Sequence, residues 1–385
     1  MRILYILNST YLLGGATKSF LQLISALKEK GIEILIICPD KNGLFQYLKS
    51  QNIEVKSIKY MASCILDSKS NIECLFNILR LLKRFYINSH ATLRLCFVCK
   101  RFQPDIIHTN TSVNDIGFKA GKICGIPHVW HIREYGDLDF GWKIPHLDRR
   151  LCAPNNYSIA ITKAIALHRK VFGRPNNRII YNGIVNSAKV KEIDEAKEPY
   201  FLFAGKCTEG KGFNDLIRAY IKYCQSVRAP LKLIVTGNKE DTDNTQKQWE
   251  LLKNSHLEKN VEWIGIRKDI DVYMSKAMAV IVPSRCEGFG RVMVESMYNG
   301  GLVIGRNTGG SKEQFDKGSE INGKDIGLRY DAEQDLVKHM KVITEIGISE
   351  FLPMIKRAQQ TVLHLYATEN YVNSVILFYK DILKL

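Results

Sequence analysis

Residues 283–313, PSRCEGFGRVMVESMYNGGLVIGRNTGGSKE, decide how the chain is read. The apolar run ahead of them, 279–282 (AVIV), is short, β-branched and stopped by Pro283, the pattern of a strand buried on both faces of a parallel sheet. Ligands of open parallel sheets gather at the carboxyl ends of strands, and residues 284–290 leave from that end. Residues 291–299 then suit a helix, which Gly300 and Gly301 stop. Gly288 and Gly290 let backbone come close to a ligand, and the first helical amides, around Val292 and Met293, have no acceptor within the helix. Such amides favour an anion, phosphate above all. The carboxylates Glu287 and Glu295 suit hydroxyls instead, since an ionised carboxylate accepts from both members of a vicinal diol. The spacing also lets Glu295 pair with Arg291 one helical turn back.

In combination these residues resemble the signature of the retaining glycosyltransferases of the family-4, or group 1, type. That signature has two glutamates separated by seven residues, the first within Glu-Gly-Phe-Gly, then a Gly-rich strand and a GG-x-x-E loop. Here it stands as Glu287, Gly288, Phe289, Gly290, Glu295, Gly309, Gly310 and Glu313. The resemblance implies an α/β protein of the GT-B fold, two Rossmann-like doubly wound parallel-sheet domains facing a central cleft, with a nucleotide diphosphate sugar as donor.

An alternating β/α pattern extends outward from this stretch. Residues 2–7 (RILYIL) read as a strand, 8–15 as a loop ending in Gly14 and Gly15, and 16–30 as a helix, the opening of a doubly wound sheet without a GxGxxG fingerprint. Further strands are expected at 32–38, 54–58, 105–108, 128–132, 158–162 and 178–181. Residues 187–198 are polar without apolar periodicity and read as a linker. A second series follows at 200–204, 231–236, 261–264, 279–282 and 302–304. The expected domains are therefore 1–190 and 199–368. Residues 369–385 have helical apolar spacing, and the resemblance implies that this last helix crosses back to the first domain.

Just beyond the first strand of the second series lies GKCTEGKG, with Gly205, Lys206, Lys211 and Gly212. It matches the family's G-R/K…K-G segment, whose two cations, by resemblance, clamp the donor's diphosphate. Breaking a bond to an anomeric carbon leaves negative charge on phosphate, and fixed cations aimed there stabilise the transition state. With two lysines and a helix N-terminus supplying that field, no metal and no other cofactor is expected. Lys206 stands where the family often has Arg, keeping the charge but losing planar bidentate geometry. His131, in WHIREYGD beside Arg133 and Glu134, occupies a region where similar enzymes carry a histidine that touches the donor hexose or the reacting centre. A histidine between apolar neighbours is also commonly a hydrogen-bonded structural residue, and His108 and the loop Thr109 to Thr111 on the same sheet face are weaker candidates.

The resemblance thus implies Lys206, Lys211, His131 and Glu287 as catalytic residues. It implies Gly14, Gly15, Gly205, Gly288, Phe289, Gly290, Val292, Met293 and Glu295 as donor-binding residues. No residue stands out as a nucleophile, and the resemblance implies that the acceptor attacks from the leaving-group side while Glu287 positions the sugar.

At 385 residues the chain can bury two cores. No apolar run reaches the roughly 18 residues needed to cross a bilayer, and the N-terminal stretch, broken by Asn8, lacks a clear signal-peptide cleavage site. Ten scattered cysteines, with Cys96 and Cys99 the lone CxxC, read as reduced and mostly buried thiols of a cytoplasmic protein. A net charge of +16 calls for an anionic partner. Residues 75–104 hold Arg80, Lys83, Arg84, Arg94, Lys100 and Arg101 and no acid, interleaved with aromatic and aliphatic residues. This suits either an amphipathic element on an anionic membrane or a core helix with a solvated basic face. No nucleic-acid motif is present, so nucleic acid is not an expected partner. The leading reading is a hexosyltransferase acting on a glycan or lipid-linked acceptor in cell-envelope polysaccharide synthesis, lipopolysaccharide or capsule, peripheral on the inner membrane face. A nucleotide-sugar epimerase of the same fold is the alternative, and a basic nucleotide-binding protein without catalysis a third reading.

Overall fold

The computed structural model describes residues 1–12, 14–66, 71–237 and 243–385; residue 13 of the expected 8–15 loop and the side chains of 66 and 71–79, which include the start of the basic stretch, lie outside that description. The chain divides into two units, one of Met1–Gly183 with Thr368–Leu385 and one of Ile184–Ala367.

The first unit contains β1 (Arg2–Ile6), β2 (Glu33–Cys38), β3 (Glu54–Ser57), β4 (Ile65–Leu66), β5 (Ile106–Thr109), β6 (His128–Ile132), β7 (Trp142–Lys143), β8 (Asn156–Ala160) and β9 (Asn177–Ile179). Seven of these form a parallel sheet in the order β3-β2-β1-β5-β6-β8-β9, while β4 and β7 make a small antiparallel pair. Alternation along β1 sends Ile3 and Tyr5 to one face and Leu4 and Ile6 to the other. On the first face they meet Phe20 and Leu23 of the Gly15–Glu29 helix, and Val375, Phe378 and Tyr379 of the chain's last helix, Thr368–Leu383. On the second they meet Ala91, Leu95 and Cys99 of the long Asn71–Phe102 helix. The final helix is thus a core element of the first unit.

The second unit contains β10 (Glu198–Ala204), β11 (Lys232–Thr236), β12 (Val261–Gly265), β13 (Ala277–Val282), β14 (Val303–Arg306) and β15 (Leu328–Tyr330), all parallel in the order β12-β11-β10-β13-β14-β15. Both sheets follow the doubly wound order, the first with one more strand at its edge. The expected GT-B fold is the fold observed.

Several local expectations change. The first unit's leading segment ends at Gly183, ahead of the expected 190. The polar segment 187–198 lies within the second unit, tied there by hydrogen bonds in both directions: Gln359 Nε2 donates to Lys191 O at 2.8 Å, and Lys197 Nζ donates to Gly300 O at 2.8 Å. The expected GG-x-x-E loop instead opens the Gly309–Asn322 helix. β15 and the helices Glu333–Ile346 and Leu352–Leu365 have no counterpart in the sequence reading. The thiols are less buried than expected: Cys38, Cys99, Cys207 and Cys224 are buried, Cys64, Cys96 and Cys286 partly so, and Cys124 and Cys152 exposed. Among the described residues, no helix is long and apolar enough to cross a membrane.

Candidate active site

In the second unit β10 and β13 are neighbours at the point where strand order reverses, so the segments after Ala204 and Val282 leave adjacent strand ends. Gly212 makes their close packing possible. It has φ +70°, and a Cβ there would lie 1.8 Å from Pro283 O, so only glycine fits. Arg285 N donates to Gly210 O at 3.1 Å across the same contact. Lys211 Nζ then donates to Glu287 Oε2 at 2.9 Å, and Glu287 Oε1 accepts from Gly290 N at 3.2 Å.

Gly290, at φ +91°, caps the Arg291–Tyr298 helix. The ladder of this helix begins with the bond from Val294 N to Gly290 O at 3.2 Å, so the amides of Val292 and Met293 stand ahead of it. Met293 is fully buried, backbone included, while Val292 is partly exposed. Phe289 is also buried, edge-on to Tyr366 at 5.4 Å. Glu295 pairs with Arg291 Nη2 at 2.8 Å, the helical pairing that its spacing allows.

The loop bearing Glu287 is held from below by Gly310 of the signature and by Gln314 and Asp215, which the sequence reading missed. Gly310 N donates to Glu287 O at 2.6 Å, a Cβ at Gly310 would lie 2.6 Å from Phe289 O, and Gln314 Nε2 donates to the same carbonyl. Asp215 accepts from Arg285 at 2.7 and 2.8 Å, from Arg306 at 2.6 Å and from Arg218. These bonds, those of Arg285 first, hold its carboxyl well below the usual carboxylate range. The cluster ties the Phe213–Ser226 helix to the ends of β13 and β14. Its only sequence signal is an acid three residues after Gly212 and two arginines just past strand ends. Lys206 is exposed, and Gly205 N donates to Thr236 Oγ1 at 3.3 Å.

In the first unit His131 lies near the end of β6, within the strand expected at 128–132, and is fully buried. Arg133 Nη2 lies 3.3 Å from His131 Nδ1. Arginine only donates, so Nδ1 carries the lone pair and Nε2 the proton. His108 Nε2, 3.1 Å from the same Nδ1, must then also donate, leaving its own Nδ1 to accept from Tyr379 Oη. Tyr379 in turn accepts from Tyr5 Oη at 2.6 Å. Burial, then the Arg133 charge, push His131 and His108 well below the usual imidazole range, so both are neutral. His131 Nε2 has no hydrogen-bond partner among the described residues. Arg133 is itself buried on neutral partners: Asn110, Asn182 Oδ1 at 2.6 Å and Tyr371 Oη at 3.2 Å, besides His131.

A cavity of about 220 Å³ lies at the carboxyl end of this sheet, lined among others by Gly14, Thr111, Glu134, Phe140 and Trp142. Gly14 precedes the Gly15–Glu29 helix as its N-cap. Glu134 Oε1 accepts from Ser112 N at 2.7 Å and Ser112 Oγ at 2.6 Å; burial raises its carboxyl above the usual range although Ser112 pulls the other way. Thr111 belongs to the 109–111 loop that the sequence marks as a weaker candidate, whereas Glu134 figures there only as a neighbour of His131. The structure thus brings Lys211, Glu287 and Gly290 together in one unit, and places Gly14, Gly15 and His131 in the other.

Two doubly wound units, one carrying GKG and EGFG loops at adjacent strand ends, define a GT-B glycosyltransferase. Family models match in tandem, Glycosyltransferase Family 4 over residues 13–187 and Glycosyl transferases group 1 over 186–345, and the chain belongs to this family of enzymes. It is similar to an uncharacterised 42.6 kDa protein in the cps region of Klebsiella pneumoniae, 25% identical over 341 residues, 79% of this chain and 84% of that one. It is also 27% identical over 171 residues, 43% of this chain and 44% of the relative, to a Campylobacter jejuni N-acetylgalactosamine-N,N'-diacetylbacillosaminyl-diphospho-undecaprenol 4-alpha-N-acetylgalactosaminyltransferase. The Anabaena HepE crystal structure in complex with UDP shares the fold at TM-score 0.76 and 18% identity, covering 99% of this chain and 100% of that one. None of these similarities favours the epimerase reading.

Proposed function

We propose that this glycosyltransferase moves a hexose from a nucleotide diphosphate sugar to a glycan or lipid-linked acceptor in cell-envelope polysaccharide synthesis, with retention and without a metal. The observation that carries the reading is the Lys211–Glu287 pair at the carboxyl end of β13, beside the amides of Val292 and Met293. Lys211 is 41% exposed, and an ion pair of that exposure contributes little to stability, so its partner is exchangeable. With donor bound, Lys211 turns to the diphosphate together with Lys206, and Glu287 is released to accept from sugar hydroxyls. Charge leaving with the nucleotide then meets two cations and a helix N-terminus, which supply the stabilisation that a divalent ion supplies elsewhere. The departing phosphate takes the acceptor's proton, so the protein needs no nucleophile.

The similarity to a transferase whose name carries a diphospho-undecaprenol acceptor, and to an enzyme crystallised with UDP, supports this choice of substrates. A peripheral membrane position is supported by the Asn71–Phe102 helix. There Leu82, Phe85, Tyr86, Leu93 and Phe97 are exposed among the exposed Arg80, Lys83, Arg94, Lys100 and Arg101.

The test is thermal unfolding of the full chain across a panel of nucleotide sugars, where a donor at 100 times its Kd adds about 2.7 kcal/mol of stability. The donor so found is then used to assign the product's anomeric configuration by NMR, with and without EDTA. No stabilisation by any nucleotide sugar overturns the reading; an inverted product removes retention, and loss of turnover in EDTA removes metal independence.

A further inference from the structure

The cavity of the first unit holds groups that its own fold leaves unused. Glu134 is 7% exposed, and both of its hydrogen bonds, from Ser112 N and Oγ, fall on Oε1. Oε2 is thereby left toward the cavity that Glu134 lines. Thr111, which lines the same cavity, has a buried Oγ1 with no hydrogen-bond partner among the described residues. A buried hydroxyl without a partner is costly, so it calls for a ligand group.

Opposite chemistry lines the rest of the wall. Phe140 and Trp142 stack at 4.5 Å with their planes 18° apart, and β7, which carries Trp142, is fixed by pairing with β4. The rim nearest the Gly15–Glu29 helix is also set: Thr17 Oγ1 donates to Tyr11 O at 2.8 Å, and Tyr11 N donates to Ser9 Oγ at 3.1 Å. At 220 Å³ the space is smaller than the roughly 300–1,000 Å³ of pockets that enclose drug-sized molecules. It has room for one ring and not for a nucleotide or a lipid chain. A ligand that shows C–H groups to an aromatic wall and hydroxyls to a carboxylate and a threonine is a pyranose.

We propose that this cavity is a pyranose subsite in which Glu134 Oε2 and Thr111 Oγ1 bind ring hydroxyls while Phe140 and Trp142 cover an apolar ring face, which makes Glu134 a specificity-determining residue. The proposal rests on the glycosyltransferase reading above and specifies which sugar chemistry the first unit selects. The ring has two possible sources, the donor and the acceptor.

The test is saturation-transfer NMR on the full-length protein with the methyl glycosides of glucose, galactose, mannose and N-acetylglucosamine. At least one should bind, with saturation strongest on the C–H protons of one ring face. Glu134→Gln and the near-isosteric Thr111→Val should each weaken that binding tenfold or more, and Trp142→Ala should abolish the face preference. Thermal midpoints confirm that each variant folds, and Thr111→Val carries the test if Glu134→Gln does not fold. Displacement of the glycoside by UDP-glucose but not by UDP identifies the ring as the donor's; binding alongside UDP-glucose identifies it as the acceptor's. The proposal is overturned if no glycoside binds the wild-type protein, or if every variant that folds binds as the wild type does. Stabilisation of the wild-type protein by nucleotide sugars is read separately, so the parent reading and this one fail by different results.

Discussion

In the second unit a cation and a carboxylate face each other at 2.9 Å on groups that are 41% and 15% exposed. In the first unit Arg133 and His131 are buried, and the guanidinium bonds to the neutral Asn110, Asn182, His131 and Tyr371. The exposed pair is easily separated because water competes for both members, which suits groups that must change partners when substrate arrives. The buried network pays no such exchange: its proton positions follow from the donors around it, and disturbing one member leaves others unsatisfied. One site is therefore built to rearrange and the other to stay fixed.

The strongest way to break that contrast is Lys211→Ala. Turnover should fall by roughly 10² or more, the loss of one preorganised charge contact, while stability changes by no more than about 1 kcal/mol. Unchanged kinetics at saturating donor would remove Lys211 from the chemistry. Next in size is Gly212→Ala, which puts a methyl group where Pro283 O stands and forces a left-handed backbone on a side chain. It should cost about 2–3 kcal/mol in denaturant unfolding and cut activity with it, and a neutral result would show that the two loops are not locked.

The fixed site has a pH signature. His128 donates from Nδ1 to Asn156 Oδ1 and accepts at Nε2 from Thr109 Oγ1, both at 2.8 Å, and burial pushes its imidazole down to about 4. The unfolded chain, with the ordinary value near 6.5, takes up a proton first. Stability should therefore fall as pH drops through the window from 6.5 to 4, by about 1.4 kcal/mol per pH unit for this residue. His128→Asn should flatten the slope by that amount; an unchanged slope would mean that the histidine is not held neutral. The last of these is Tyr379→Phe, which should cost about 1–3 kcal/mol, because Tyr5 Oη loses its acceptor and His108 Nδ1 its donor. Its sharper readout is the ¹⁵N spectrum, in which the His108 Nδ1 signal should shift while His131, still facing Arg133, keeps its Nε2–H tautomer.

Much of the fold was legible because buried parallel strands are short apolar runs between turn residues, and most of the expected strands lie within a few residues of those observed. β15 escaped because only three residues, Leu328–Tyr330, carry it, too few to show a period. The GG segment at 309 looked like a loop because glycines usually are, yet here their lack of a side chain lets a helix start press against Phe289. The glutamate pair was legible as residues but not as partners. That Glu287 faces Lys211, 76 positions away, depends on Gly212 meeting Pro283, a contact with no local signal. Likewise the histidine relay joins Tyr5 to Tyr379 across 374 positions, beyond the reach of any periodicity.

The return of the last helix to the first core has a consequence for how the protein is made. β1 leaves the ribosome well before Tyr371, Val375 and Tyr379, which complete the packing around Ile3 and Tyr5. The second unit is one continuous segment, Ile184–Ala367, and finishes first. At about 5–20 residues per second, the first sheet waits on the order of 10–40 s with one face incomplete after its own leading segment has emerged. Nascent chains stalled short of Thr368 should be cut by protease in the first unit and resist in the second. The first unit thus starts to be made before the second yet becomes native after it.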